Sequence, residues 1–113
     1  MSESAFVWFH NNSENSAASI RFYESLFGWK ASAGPAGMTM LARASQPIAA
    51  VGPKDGKAAG WLPYAQVDDV DAATKRAVEL GAEVLQKKTR GPAGDFSIVR
   101  DPGGAAVALW QKA

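Results

Sequence analysis

The tetrapeptide Gly-Pro-Ala-Gly occurs twice in this 113-residue chain, at residues 34–37 and 91–94. Each copy is followed by an apolar segment that ends in an arginine, Arg43 in the first case and Arg100 in the second. A sequence that repeats its turns and apolar segments in the same order predicts a repeated structural unit. We therefore expect two copies of one module within the chain.

A turn followed by a strand ends the second copy and has a weaker counterpart in the first. Asp101-Pro102-Gly103-Gly104 combines residues that preset or tolerate turn conformations, and an apolar segment follows it. That segment, residues 105–110, is too short for a helix and predicts a buried strand. The first-half counterpart is Gln46 to Val51, a proline followed by a short apolar run.

The first module is predicted to begin with an aromatic strand at residues 5–10, which the polar residues 11–15 interrupt. These polar residues include helix N-cap candidates, and the spacing of the following apolar residues predicts a helix over 16–27 that ends at Gly28. Three further strands are predicted at 29–33, 38–43 and 49–52. The order of elements is therefore βαβββ.

The apolar face of this helix is predicted to include Ala18, Phe22 and Leu26, which recur at every fourth position. Together with the neighbouring aromatic residues, they indicate packing between the helix and the sheet. The residues assigned to that packing are Phe22, Tyr23, Leu26, Phe27 and Trp29.

The second module repeats the βαβββ order, with a helix predicted over residues 72–80 that ends at Gly81. Asp68, Asp69 and Asp71 precede this helix, so we interpret them as N-terminal capping residues in preference to metal ligands. The predicted strands are 61–67, 82–86, 96–100 and 105–110.

Both modules are predicted to belong to one domain, residues 1–113, since a chain of this length can bury one core but not two independent ones. Module one covers about 5–53 and module two about 61–112. The connecting segment, about 54–60, is rich in glycine and lysine and predicts a mobile linker.

Composition and charge exclude several classes of function. Twelve basic and eleven acidic residues leave a formal net charge of +1, so we expect neither nucleic acid nor a membrane as partner. The absence of cysteine removes disulfides, thiolate nucleophiles and cysteine-ligated zinc together. Neither a secretory leader nor a run of about 20 apolar residues is present, which predicts a soluble cytoplasmic protein.

Four segments share their order and spacing with one known family. They are Phe22-Tyr23-Glu24-Ser25-Leu26-Phe27-Gly28-Trp29, Trp61-Leu62-Pro63-Tyr64 with Val67 to Ala73, Glu79-Leu80-Gly81-Ala82, and Asp101-Pro102-Gly103-Gly104-Ala105. These segments resemble the glyoxalase/bleomycin resistance/dioxygenase superfamily, also called vicinal oxygen chelate proteins. The resemblance implies an α+β fold in which two βαβββ modules form curled mixed sheets around a cavity, usually in a dimer.

Enzymes of this superfamily hold a divalent metal on the cavity wall, using His or Glu from the first strand of each module and Glu from the last. By position, the first-strand ligands fall on Trp8 and Leu62, and the last-strand carboxylate falls on Ala108. The corresponding place in module one lies within residues 49–51, which are Ala-Ala-Val. Because none of these side chains offers a carboxylate or an imidazole, we predict no metal, no other cofactor and no catalytic residue.

Strand alternation selects the side chains that face the cavity if the superfamily register holds. Apolar pockets with a few polar groups bind small molecules, and Trp and Tyr faces stack on planar or cationic ligands. The predicted ligand-binding residues are Trp8, His10, Leu62, Tyr64, Ala108 and Trp110. The alternative is that these side chains fill the barrel or a dimer interface.

His10 is the only histidine of the chain. A single imidazole without a second ligand or a nearby nucleophile makes neither a zinc site nor a nucleophile–base pair. Three interpretations remain open, namely a structural or surface histidine, a hydrogen-bonding partner for a ligand, and a catalytic group.

The patterns and the resemblance together predict a metal-independent protein that binds a hydrophobic or aromatic small molecule, for drug or metabolite sequestration. The resemblance implies that it is a homodimer. The alternative is a metal-dependent lyase, isomerase or dioxygenase of the same superfamily whose ligands the sequence does not reveal. A structural or regulatory subunit is a third possibility, favoured if Trp8 and Trp110 themselves fill the cavity.

Overall fold

The structure, a computed structural model, describes residues 3–55 and 59–113. The described residues form two compact units, one from Trp8 to Leu62 and the other from Pro63 to Ala113 with the N-terminal residues up to Val7. Each half of the chain has the predicted βαβββ order. The first half contains β1 (Phe6–Ser13), α1 (Ser16–Phe27), β2 (Lys30–Ala33), β3 (Thr39–Arg43) and β4 (Gln46–Pro53). The second half contains β5 (Gly60–Gln66), α2 (Val70–Glu79), β6 (Glu83–Gly91), β7 (Gly94–Arg100) and β8 (Ala106–Lys112).

The two halves have the same sheet topology. In the first half the strand order is β2-β3-β4-β1, with β1 and β4 parallel and the other neighbours antiparallel. In the second half the order is β5-β8-β7-β6, with β5 and β8 parallel and the other neighbours antiparallel. A helix connects the first strand of each half to the remaining three. This duplication confirms the predicted α+β fold of two βαβββ modules.

β1 is longer than predicted, because residues 11–13 continue the strand that they were expected to interrupt. Asn11, Asn12 and Ser13 lie opposite residues 51–53 of β4 in the parallel register and are buried. The interruption occurs at the next two residues, where Asn15 accepts a hydrogen bond from the Ala18 amide at 3.1 Å and forms the predicted N-cap of α1. The polarity of residues 11–13 did not predict the end of the strand. Their backbone groups pair with β4, so the strand continues although the side chains are polar.

The face of α1 that packs on the sheet differs from the predicted one. Phe22 and Leu26 are 55% and 58% exposed, so their assignment to the packing between helix and sheet is wrong. Phe27 is 54% exposed, and its ring contacts the rings of Tyr23 and Trp29. Ile20 and Tyr23 pack instead, together with Trp29, against the buried cluster Leu41, Ala49 and Val51. α1 has two apolar stripes, and periodicity does not distinguish them. A hydrogen bond of 2.7 Å between the Ser13 and Ser19 hydroxyls joins β1 to the side of α1 that carries Ile20 and Tyr23.

α2 is fixed to its sheet by polar contacts. Asp69 is the N-cap and accepts a hydrogen bond from the Ala72 amide at 3.1 Å, which confirms the capping interpretation for this residue. The Val70 amide donates to Gln111 Oε1 at 2.9 Å, and the hydroxyls of Thr74 and Ser97 are 2.7 Å apart. These contacts place α2 on one face of β7 and β8.

The segment predicted as a mobile linker lies partly outside the described residues. Within the described part, the Lys54 amide donates to the Ser13 carbonyl at 2.9 Å and extends the contact between β4 and β1. Residues 56–58 of the predicted linker are not among those described. Neither α1 nor α2 is long and apolar enough to cross a membrane, and they are the α-helices of the described residues.

Candidate functional site

In the second half, one face of the sheet is turned away from α2. Tyr64 of β5 pairs with Ala108 of β8, which in turn pairs with Ile98 of β7. Two residues after Ala108 on β8, Trp110 pairs with Phe96 of β7. Because side chains alternate along a strand and cross-strand partners share a face, these five residues lie together. Ser97 and Gln111, which contact α2, lie on the opposite face. We call this set, Tyr64, Phe96, Ile98, Ala108 and Trp110, the aromatic face.

The aromatic face has a buried floor with partly exposed rings around it. Ala108 is 0% exposed and Ile98 is 7% exposed. The rings of Tyr64 and Phe96 are in contact, with centroids 5.8 Å apart and planes inclined at 47°. Burial raises the pKa of the Tyr64 phenol above its ordinary value of 10.0, since desolvation disfavours the phenolate. Near neutral pH this face therefore offers apolar rings and one neutral hydroxyl.

In the first half, the face turned away from α1 has a different composition. His10 pairs with Ala50, which pairs with Met40, and Asn12 pairs with Gly52. Leu41 and Val51, which contact the α1 residues, are on the other face because they alternate with these positions. We call the set His10, Asn12, Met40, Ala50 and Gly52 the polar face.

Two features of the polar face are unusual for a sheet interior. A Cβ atom at Gly52 would lie 3.2 Å from both Cε1 and Nε2 of His10, so the imidazole lies directly against the Gly52 backbone. Asn12 is 5% exposed, and its Oδ1 is buried with no hydrogen-bond partner among the described residues. Leaving a buried amide oxygen without a donor costs about 1–3 kcal/mol, so such an atom requires an explanation.

The predicted ligand-binding residues lie in two groups. Tyr64, Ala108 and Trp110 belong to one unit and lie on the aromatic face, where Tyr64 and Ala108 are direct cross-strand partners. Trp8, His10 and Leu62 belong to the other unit. His10 lies on the polar face, and Trp8 is partly buried two residues before it on β1. Leu62 is 5% exposed on β5, two residues before Tyr64.

Sequence reasoning missed Phe96, Ile98, Asn12, Met40 and Gly52. Alternation along β1 could have added Asn12 to His10, but the polar group around Asn12 was interpreted as the end of the strand. For the other four, the missing information was the register between strands, which decides which side of β3, β4 and β7 faces the helix.

The residues at the metal-ligand positions of the superfamily do not fit a divalent cation. Ala108 and Ala50 are methyl side chains at 0% exposure, so they provide neither a donor atom nor space for one. Ala108 lies between Tyr64 and Ile98, and Ala50 lies between His10 and Met40. Within residues 3–55 and 59–113, no group of three or more His, Cys, Asp or Glu side chains is arranged to hold a metal ion.

Comparisons with a family model and with curated proteins indicate the same family. The family model described as "Glyoxalase-like domain" matches residues 8–110. The chain is 35% identical over 115 residues to "Putative glyoxylase CFP32" from Mycobacterium bovis, covering 92% of this chain and 44% of that protein. It is 35% identical over 127 residues to "Anthracycline biosynthesis protein DnrV" from Streptomyces peucetius, covering 94% and 46%. The chain thus spans less than half the length of these curated relatives.

A solved structure supports the fold independently. A glyoxalase/bleomycin resistance protein/dioxygenase superfamily member from Vibrio splendidus 12B01 superposes with a TM-score of 0.66 at 13% identity, over 98% of this chain and 100% of that one. At this identity the likeness concerns the fold. Together with the duplicated βαβββ topology and the family match over residues 8–110, it shows that the chain belongs to the glyoxalase-like domain family of the glyoxalase/bleomycin resistance/dioxygenase superfamily.

Proposed function

We propose that this protein binds a hydrophobic, planar aromatic small molecule against its aromatic face without a metal ion. The observation behind the proposal is the shared placement of Tyr64, Phe96 and Trp110 on a face turned away from α2, partly exposed above a buried floor. Partly exposed rings offer flat apolar surfaces on which a planar ligand can stack, and an aromatic pair contributes about 0.5–1.5 kcal/mol beyond the area it buries. The neutral Tyr64 hydroxyl supplies a polar group that would orient the ligand.

The relatives are compatible with two functional classes. One relative is named for anthracycline biosynthesis, and anthracyclines are polycyclic aromatic compounds. The other is named as a glyoxylase, which corresponds to the enzymatic alternative. We favour binding because the alanines at the superfamily's last-strand positions do not fit a metal. Stoichiometric zinc, nickel, manganese or iron in the purified protein would contradict this choice.

Titrations followed by ¹H–¹⁵N NMR test the aromatic face. The probes are 1-methylindole and the water-soluble tricyclic compound anthraquinone-2-sulfonate. We expect saturable shifts at the backbone amides of Tyr64, Phe96 and Trp110. Trp110→Leu should weaken binding of the better probe about tenfold, which corresponds to about 1.4 kcal/mol of lost stacking.

A matched substitution separates this effect from a general loss of tryptophan. Trp61 is 39% exposed and donates its indole N–H to the Tyr23 hydroxyl at 3.0 Å, within the aromatic cluster beside α1. Trp61→Leu should therefore leave the affinity unchanged. No saturable binding of either probe, or equal losses in both variants, would refute the proposed function.

We also propose that the chain acts as a homodimer, as the resemblance to the superfamily implies. Sedimentation velocity over a range of protein concentrations tests this directly. A monomeric sedimentation coefficient up to about 100 µM would contradict it, because a chain that dimerises stably has a dissociation constant well below that value.

A further inference from the structure

The strand β6 continues the aromatic face beyond its rings and adds a polar side chain to it. Gln86 of β6 pairs with Ile98, which pairs with Ala108, and Ala108 pairs with Tyr64. Cross-strand partners lie on the same face of a sheet, so these side chains form one row across four strands of the same unit. The buried floor of the aromatic face therefore has the Tyr64 ring on one side and the Gln86 amide on the other.

Two irregularities in the pairing of β6 with β7 turn Gln86 and Thr89 to this face. The register shifts once between Val84 and Gln86, and again between Gln86 and Thr89. Val84 pairs with Val99 on the opposite face, where ordinary alternation would also place Gln86. The first shift turns Gln86 to the aromatic face, and the second brings Thr89 to the same face although it lies three positions later. Such β-bulges are over-represented next to active sites, where they re-aim side chains.

The first half shows that the fold does not require these bulges. Its strand β2 is equivalent to β6, and it pairs with β3 in a constant register throughout. Ser32 pairs with Met40 there, at the position equivalent to Gln86 and Ile98. The irregular pairing is thus specific to the half that has the aromatic rings.

Thr89 holds the Gln86 amide in one orientation. The Thr89 hydroxyl donates its single hydrogen to the Lys87 carbonyl at 2.8 Å, so it can bond to Gln86 only as an acceptor. Gln86 Nε2 accordingly donates to Thr89 Oγ1 at 3.1 Å. These two bonds use neither Gln86 Oε1 nor the second hydrogen of Nε2. Both side chains are half-buried, which leaves part of each accessible to a molecule that lies on the face.

We infer that Gln86 determines the specificity of the aromatic face, because its Oε1 accepts a hydrogen bond from a hydroxyl or N–H group at the edge of the bound aromatic ring system. An amide oxygen accepts hydrogen bonds and cannot donate them, which sets the class of the ligand group. An amide already held by Thr89 loses little conformational freedom on binding, so more of the hydrogen bond contributes to affinity. The inference rests on the proposed binding to the aromatic face and adds the polar group that the ligand carries.

Indole and 1-methylindole test this hydrogen bond, since they differ by replacement of the N–H donor with a methyl group. NMR titration should show that the wild-type protein binds indole about fivefold more tightly than 1-methylindole, as expected for one hydrogen bond. In Gln86→Met, which keeps the length of the side chain but removes the amide, this preference should disappear while 1-methylindole binds as before. Gln46→Met, the same substitution at an exposed position in the first half, should keep the wild-type ratio of the two affinities.

A second variant tests Thr89 as a positioning residue. Thr89→Val removes the hydroxyl that orients the amide with little change in size. The preference for indole should fall from about fivefold to about twofold, because the Gln86 amide must then be ordered on binding. The affinity for 1-methylindole should not change. A preference that stays at the wild-type value in this variant would contradict the role of Thr89.

Three results would overturn the inference and leave the aromatic face intact. The first is equal affinity of the wild type for the two probes. The second is an unchanged preference in Gln86→Met, which would assign the donor to another acceptor such as the Tyr64 hydroxyl. The third is an equal loss of affinity for both probes in Gln86→Met, which would assign Gln86 to packing. If neither indole binds to the wild type, the proposed function and the inference fail together.

Discussion

The two halves of the molecule use the same strand register to present different chemistry. His10 pairs with Ala50 on parallel strands, as Tyr64 pairs with Ala108, and both alanines are 0% exposed. Around this shared alanine the side chains differ. The equivalent pairs are His10 and Tyr64, Asn12 and Gln66, Gly52 and Trp110, and Met40 and Ile98. At two of these positions the second half has a larger aromatic ring, Tyr64 for His10 and Trp110 for Gly52, and at the other two it has Gln66 for Asn12 and Ile98 for Met40.

This difference shows which part of a duplicated module is constrained. In each half a fully buried alanine lies between cross-strand partners on two neighbouring strands, and the residues around it differ between the halves without a change of register. The duplication therefore fixes the direction of each side chain and leaves its chemistry open. A sheet face can therefore be aromatic in one half and polar in the other within the same strand register.

The largest expected effect concerns the helix-facing positions. Leu41 in β3 is equivalent to Val99 in β7, and they are 0% and 3% exposed. Leu41→Ala should destabilise the protein by about 2–5 kcal/mol, because it removes buried methylene groups and leaves a cavity. Val99→Ala should cost less, since it removes a smaller group. Urea unfolding of both variants tests the order, and a larger loss for Val99→Ala would show that the two cores are not equivalent.

The turns that follow these strands differ in how their backbone is stabilised. In the second half, Asp101 Oδ1 accepts hydrogen bonds from the amides of Gly103 and Ala105 at 2.8 and 3.0 Å. Asp101→Ala should cost about 1–3 kcal/mol, because each bond contributes about 0.5–1.5 kcal/mol. Chemical denaturation measures this loss, and Glu14→Ala, at an exposed position, is a control outside the turn. A loss of stability in Asp101→Ala no larger than that of the control would show that these two hydrogen bonds do not stabilise the turn.

The equivalent turn in the first half is strained. Ala44 and Ser45 have φ values of 49° and 68°, in the left-handed region that costs a non-glycine residue about 1–2 kcal/mol. Ser45→Gly should therefore stabilise the protein by about 0.5–1 kcal/mol despite the greater flexibility of glycine in the unfolded chain. Gly104→Ala, which imposes the opposite change at a φ of 103°, should destabilise it. A loss of stability in Ser45→Gly would indicate that this turn is not strained in solution.

Much of the fold could be predicted from the sequence because its signals are local. The repeated turns located the modules, and the helix starts at Asn15 and Asp69 could be predicted from the hydrogen-bonding capacity of their side chains. Alternation grouped Ala108 with Trp110 correctly on one face. The capping and alternation inferences depend on residues separated by no more than four positions.

The remaining features depend on contacts between distant residues. The face of α1 that packs on the sheet carries the Ser13–Ser19 hydrogen bond and lies against the cluster containing Leu41, contacts that no periodicity reveals. Asn12 was placed on the polar face only by its pairing with Gly52, forty positions away. Phe96 joined the aromatic face through its register with Trp110. Strand register is set by pairing between distant residues, so local sequence patterns could not predict it here.

The smallest expected effect concerns ionisation of Tyr64. The chain has two tyrosines, so Tyr23→Phe leaves Tyr64 as the only phenol. Burial raises the pKa of Tyr64, and its phenolate absorbance near 295 nm should therefore appear with a midpoint above 10.0. Below pH 10.0 both the folded and the unfolded chain keep this proton, and stability does not depend on it. As the pH rises past 10.0 the unfolded chain loses the proton first, so the free energy of unfolding should fall.

Comparison with the further variant Tyr23→Phe/Tyr64→Phe isolates the contribution of Tyr64, because lysines also lose protons in this pH range. Its free energy of unfolding should fall less steeply between pH 10 and the folded pKa than that of Tyr23→Phe. Circular dichroism at each pH confirms that the titrating protein is still folded. A Tyr64 midpoint at 10.0 in the folded protein would place the phenol in water. The contrast between the partly buried Tyr64 and the exposed Gln66 two residues away would then be lost.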